Sequence, residues 1–132
     1  MTQIDRRVGR CACGAIRFTI EGPLRPVVNC HCHRCRRISG HHVAATSADL
    51  DQIDLAPTDA LIWYEASAGI FYGFCATCGS SLFWKNDSEP ARWSIGAGTL
   101  DPPTGLATEL TIWTSEASDY HVLPDGPSRP YD

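Results

Sequence analysis

The chain has 132 residues, a net charge of −4, 43% hydrophobic residues and 20% charged residues. This length predicts one domain over residues 1–132, and the composition is that of a soluble globular protein. The acidic balance argues against a nucleic-acid partner, and no apolar run approaches the roughly 20 residues that a membrane span needs.

Strand signals dominate the chain from residue 15 onward. Residues 15–20 alternate between apolar and polar side chains and then meet the breaker Glu21-Gly22-Pro23, as a half-buried strand does. A hairpin loop is predicted at residues 66–69. β-branched and aromatic residues predict further strands at residues 27–30, 42–47, 60–66, 69–74, 81–84, 92–95 and 106–113.

Helix signals are scarce. Single helical turns are predicted at residues 33–38 and 48–52, and the breaker-rich tail, residues 122–132, is expected to lie extended over the surface. The fold class is therefore predicted as mainly β, a compact single domain of short antiparallel sheets.

All seven cysteines fall into three short clusters, with spacings C-x-C, C-x-C-x-x-C and C-x-x-C. The N-terminus does not read as a signal peptide, so we expect a cytoplasmic protein with reduced thiols. Metal binding is then favoured over disulfides. Alternate residues in an extended chain, such as Cys11 and Cys13, are also poorly placed to form a disulfide.

The two outer pairs predict a closed structural zinc site. Cys11 and Cys13 lie near the N-terminus, while Cys75 and Cys78 form a knuckle of the zinc-ribbon type. Four thiolates complete a tetrahedral zinc sphere, so this ion would join the N-terminus to the middle of the chain. Gly14 follows the second ligand, where a small residue lets the backbone turn.

The middle cluster predicts a second zinc with an open position. Cys30, Cys32 and Cys35 can converge on one ion from one short segment, which leaves a tetrahedral vertex for a substrate. Such an ion can hold a thiol as thiolate or polarise a carbonyl. His31 or His33 could instead complete the sphere and make a second structural site.

The other polar residues near this cluster carry weaker signals. Arg34, Arg36 and Arg37 are either a solvated charged turn or a rim that attracts the carboxylates of a substrate. No histidine is assigned as a metal ligand. The pair at residues 41–42 could reach the same pocket, and His121 reads as structural.

The three motifs at residues 9–18 (GRCACGAIRF), 29–40 (NCHCHRCRRISG) and 74–83 (FCATCGSSLF) closely resemble the glutathione-dependent formaldehyde-activating enzyme family, which includes centromere protein V relatives. The segment at residues 96–101 is similar to a further family motif, and the resemblance covers about residues 8–121. It implies a mainly β domain with a zinc-ribbon-like element. It also implies a structural zinc on the outer four cysteines and a catalytic zinc on the central three.

The family resemblance also implies a reaction, the addition of glutathione to formaldehyde to give S-hydroxymethylglutathione, which is carbon–sulfur lyase chemistry. The expected partners are thus a small thiol and a small aldehyde, and no oligomeric state is assigned. Two other hypotheses stay open at this stage. One is a zinc-stabilised binding module without activity, and the other is a glutathione-handling or thiol-handling protein with a different substrate.

Overall fold

A computed structural model describes residues 5–132, which form two β-sheets in one compact domain. Within these residues, no helix is long and apolar enough to cross a membrane. The regular elements are β1 Arg6–Arg10, β2 Arg17–Glu21, β3 Val27–Cys30, α1 His33–Ser39, β4 Val43–Asp49, β5 Ile53–Leu55, β6 Leu61–Ser67, β7 Ile70–Cys75, β8 Ser81–Asn86, β9 Arg92–Gly96 and β10 Thr108–Ile112.

The smaller sheet has the strand order β1-β2-β5, and the larger has the order β10-β3-β4-β9-β8-β7-β6. All neighbouring strands run antiparallel except β10 and β3, which pair in parallel. The prediction of a mainly β, largely antiparallel single domain is confirmed. The parallel pair brings the end of the chain beside Cys30, because Ile112 is its partner in the register.

The hydrophobic core joins the two sheets. Phe18 of the small sheet meets Phe83 of the large sheet edge to face, with ring centroids 5.1 Å apart. Trp93 lies 5.1 Å from Phe83 on the same cluster. Full burial of each such side chain stabilises the fold by about 1.5–3 kcal/mol. The buried members of the cluster are Cys11, Ile16, Phe18, Ile20, Ala48, Ala60, Cys75, Leu82, Phe83, Ile95 and Leu100.

The predicted strands all form, with bounds that differ by two residues or fewer, and β10 is shorter than predicted at both ends. The turn at residues 33–38 is α1. The predicted turn at residues 48–52 was wrong at its start, because β4 continues to Asp49 and a 3₁₀ turn follows at Leu50–Gln52. Two strands, β1 and β5, were not predicted.

The C-terminal segment lies along the free edge of β10. The amide of Arg129 donates to the carbonyl of Thr111 at 2.9 Å, and the amide of Thr111 donates to the carbonyl of Pro127 at 3.1 Å. The amide of Trp113 donates to the carbonyl of Tyr131 at 3.1 Å. These bonds satisfy the edge of β10 that faces away from β3 and Cys30.

Candidate functional site

The outer cysteines meet in one four-thiol cluster between the two sheets. The Sγ atom of Cys13 lies 3.6 Å from that of Cys11 and 3.8 Å from that of Cys75. The four sulfur atoms, including that of Cys78, all lie within 4.8 Å of one another. A tetrahedral zinc with Zn–S bonds of 2.3 Å separates its sulfurs by roughly 3.8 Å. The spacing therefore fits four zinc ligands, and all four are free thiols.

The backbone around the four-thiol cluster is shaped to hold sulfur. Gly14 and Gly79 follow the second cysteine of each pair with φ angles of 81° and 77°, in the left-handed region that favours glycine. The amide of Ile16 donates to the Sγ atom of Cys11 at 3.3 Å. The amide of Gly14 donates to the carbonyl of Cys11 at 3.2 Å. Both turns thus preorganise the cluster.

The central cysteines form a separate three-thiol cluster at the junction of β3 and α1. Cys30 ends β3, Cys32 precedes the first turn of α1, and Cys35 lies in that turn. Their sulfur atoms lie within 4.8 Å of one another. The amide of Cys35 donates to the Sγ atom of Cys32 at 3.3 Å, which fixes the thiol against the helix. The cluster offers three sulfur atoms that could bind a metal ion, one fewer than a tetrahedral site holds.

Because the three thiols lie close together, their pKa values shift in different directions. The hydrogen bond with Cys32 raises the pKa of Cys30, and the thiols of Cys30 and Cys35 lower the pKa of Cys32 to about 2. Thiols this close share one negative charge unless a cation compensates the others. A divalent cation satisfies that requirement, so the donor set fits a thiophilic dication such as zinc.

Tyr72 supports the three-thiol cluster from β7, a role that no sequence motif indicated. Its hydroxyl lies 3.4 Å from the Sγ atom of Cys35, and the side chain is 7% exposed. Burial, followed by the bond to Cys35, raises the pKa of Tyr72. The hydroxyl therefore keeps its proton and can donate to a thiolate sulfur.

The three-thiol cluster opens on a cleft of about 760 Å³, a volume in the range of small-molecule sites. The cleft lining includes the apolar side chains of Trp84, Trp93 and Ile38. Trp113 lines the same cleft with a φ of 57°, a left-handed conformation that is strained for a bulky residue. Three ligands and an adjoining apolar cleft together describe a site that can admit a substrate.

Comparison with known proteins identifies the family. Residues 6–116 match the family model described as glutathione-dependent formaldehyde-activating enzyme. The chain belongs to this family. A crystal structure of a Rhodobacter sphaeroides protein is similar at 23% identity with a TM-score of 0.62, and the match covers 76% of this chain and 97% of that one. At that identity the likeness shows the fold alone. All seven cysteines lie inside the matched residues.

The arginines of this formaldehyde-activating family member do not share one location. Among residues 5–132, the cleft lining includes Arg34 but neither Arg36 nor Arg37. Arg34 donates to the Oγ atom of Ser67 at 2.6 Å. Arg25, which was not predicted from the sequence, also lines the cleft, and burial lowers its pKa.

The histidines of the chain separate into two places. The ring of His33 contacts Glu116, with Nδ1 and Oε1 3.0 Å apart at the edge of the cleft. His31, His42 and His121 instead group their ring nitrogens within 4.8 Å of one another. Burial lowers the pKa of His42 to about 4, so its imidazole is neutral. His121, interpreted from the sequence as a structural residue, therefore lies in a histidine cluster and does not stand alone.

Proposed function

We propose that this protein is a zinc-dependent carbon–sulfur lyase that adds glutathione to formaldehyde and releases S-hydroxymethylglutathione. The observation that carries the proposal is the incomplete ligand set of Cys30, Cys32 and Cys35 on the wall of the 760 Å³ cleft. Membership in the formaldehyde-activating family supports the substrate pair. The same membership supports zinc at both thiol clusters, with Cys11, Cys13, Cys75 and Cys78 as the structural site.

A zinc ion at the three-thiol cluster would supply Lewis acidity that lowers the pKa of an incoming thiol and polarises a carbonyl. The side chains around it have defined tasks. Cys30, Cys32 and Cys35 would bind the ion through their sulfur atoms. The hydroxyl of Tyr72 donates a hydrogen bond to the sulfur of Cys35 and so fixes its position. The apolar side chains of the cleft lining, Trp93 among them, would lower the polarity around the reacting groups.

The reaction balances without any further reactant. The glutathione sulfur attacks the formaldehyde carbon and a carbon–sulfur bond forms, while the carbon–oxygen double bond becomes a single bond. The thiol proton is transferred, in net terms, to the new hydroxyl group. Holding both substrates in one cleft turns a bimolecular encounter into a positioned one.

Arginine side chains in the cleft lining suit the two carboxylates of glutathione. Arg34 lies on the cleft with its guanidinium held by Ser67, and Arg25 lies on the same cleft. Guanidinium groups bind carboxylates through paired hydrogen bonds. We assign carboxylate binding to Arg34 first. Arg36 and Arg37, proposed from the sequence for the same role, are less suited to it because they lie outside the cleft lining.

The test is exchange spectroscopy by NMR on zinc-loaded protein with glutathione and ¹³C-formaldehyde. We expect the protein to accelerate exchange between free formaldehyde and the adduct, and we expect Cys32→Ser to abolish that acceleration. The matched control is the zinc content of the variant, which should keep the ion of the four-thiol cluster. Equal exchange rates for wild type and a folded Cys32→Ser protein would reject the lyase and favour a binding module.

A further inference from the structure

Three imidazoles form a ligand group of their own beside the three-thiol cluster. His31 follows β3, His42 precedes β4, and His121 lies in the segment after β10. The ring of His31 lies 4.8 Å from that of His42 and 5.4 Å from that of His121, measured between centroids. The topology therefore brings together imidazoles from the two sides of α1 and from the distant segment after β10.

This histidine group has an unsatisfied buried atom. His31 is only 2% exposed. The Nδ1 atom of His42 is buried and has no hydrogen-bond partner among residues 5–132. A buried polar atom without a partner destabilises a fold, and a metal–nitrogen bond would satisfy it.

We propose that His31, His42 and His121 form a third metal site, which takes a divalent ion of the zinc class and keeps one coordination position open. Neutral imidazole nitrogens are standard zinc ligands. A tetrahedral zinc holds such nitrogens about 3.3 Å apart, so the ligand nitrogens, one from each ring and now within 4.8 Å of one another, need to approach by about 1.5 Å or less.

The neighbours of the three rings favour this arrangement. His41 packs against the group, with its ring centroid 4.3 Å from that of His42 and 4.5 Å from that of His121. The Nδ1 atom of His41 lies 2.6 Å from the hydroxyl of Tyr120, which holds this outer ring in place. His41 thus shields the site on one side without supplying a ligand.

The histidine site is distinct from the three-thiol cluster although one segment serves both. His31 stands between Cys30 and Cys32, and alternate side chains of an extended chain point to opposite sides. The ion would therefore tie β3 and β4 to the segment after β10. It stabilises the C-terminal part of the domain whether or not the protein is a lyase.

The first test is a zinc titration of protein whose thiol sites are already filled, followed by elemental analysis after gel filtration. We expect three zinc ions per chain, and a melting temperature that rises with the third. Long-range ¹H–¹⁵N spectra should show ring-nitrogen shifts at His31, His42 and His121 on adding the third equivalent. Saturation at two ions per chain would overturn the proposal.

Two variants and one control locate the third ion. His121→Ala and, independently, His42→Asn should weaken the third zinc at least about tenfold, the lower bound for losing even an outer contact of a metal site. Val122→Ala changes an 88% exposed neighbour and should leave the affinity unchanged. A third zinc that binds both histidine variants as tightly as wild type would place it elsewhere and reject the site.

Discussion

The four-thiol and three-thiol clusters use the same ligand atom in different surroundings. The four-thiol cluster draws Cys11 and Cys75 from segments far apart in the chain, and both are members of the hydrophobic core. The three-thiol cluster takes its ligands from one segment of six residues, Cys30 to Cys35, and faces a cleft. An ion bound to the four-thiol cluster would close a long loop of the chain, whereas an ion bound to the three-thiol cluster would close a loop of only a few residues.

This difference separates stability from chemistry. Joining distant segments removes much conformational freedom from the unfolded chain, so an ion there contributes strongly to folding. An ion on one short segment contributes less to the fold, and its free position is accessible to a substrate. The following changes probe each side of that contrast, beginning with the largest expected effect.

Cys75→Ser should unfold the domain. Structural zinc contributes an apparent ~10–16 kcal/mol in small peptides, which equals or exceeds the usual net stability of a domain, roughly 5–15 kcal/mol. Circular dichroism and a thermal melt would measure the loss. The control is Thr77→Ser in the same exposed turn, which should melt like wild type. A Cys75→Ser protein with a native melting curve would contradict the structural role.

Cys32→Ser should leave the domain folded and remove one zinc. The melting temperature should change by only a few degrees, because the core and the four-thiol cluster remain intact. Adduct exchange should fall about 100-fold or more, beyond the 10–100-fold typical of losing an outer contact of a metal site. Elemental analysis and exchange NMR check both parts. Loss of both ions in this variant would show that the two clusters are not independent.

The sequence predicted the thiol clusters well because their information is local. Spacings such as Cys30-His31-Cys32 place the thiols on one short segment. For the outer cysteines, the prediction needed only the assumption that the two short-spaced pairs share one ion. The first strand could not be predicted in this way. Its inward positions are Arg7, which donates to the carbonyl of Thr104 at 2.8 Å, and Gly9, where the ring of Phe18 occupies the space of a side chain. Neither residue is apolar, so no alternating signal marks β1.

The residues missed at the site depend on contacts distant in sequence. From the sequence, Tyr72 was predicted only as part of a strand. Its contact with the sulfur of Cys35 arises because β7 passes beside that residue. The histidine group needs the parallel pairing of β10 with β3, which brings the C-terminal segment beside His31. Parallel pairing between strands some eighty residues apart leaves no mark in local spacing.

Tyr72→Phe should reduce function more than stability. The change deletes the hydroxyl that lies 3.4 Å from Cys35 and keeps the buried ring, so the free energy of unfolding should change by about 1 kcal/mol. Affinity for the second zinc or the exchange rate should fall about 10–100-fold. Tyr64→Phe is the matched control, since Tyr64 pairs with Tyr72 across β6 and β7 but is 54% exposed. Equal losses in both variants would point to a general effect of the sheet.

Arg34→Ala should raise the KM for glutathione about tenfold with little change in kcat, because a partly exposed charge-assisted contact is worth about 1.4 kcal/mol. Arg37→Ala, an exposed position on the same helix, is the control and should leave KM unchanged. The difference in KM between Arg34→Ala and Arg37→Ala should become smaller at high salt, because screening weakens the attraction between Arg34 and the substrate. If Arg37→Ala raised KM as much as Arg34→Ala, the charge of the whole helix would attract the substrate, and the cleft would not select one arginine.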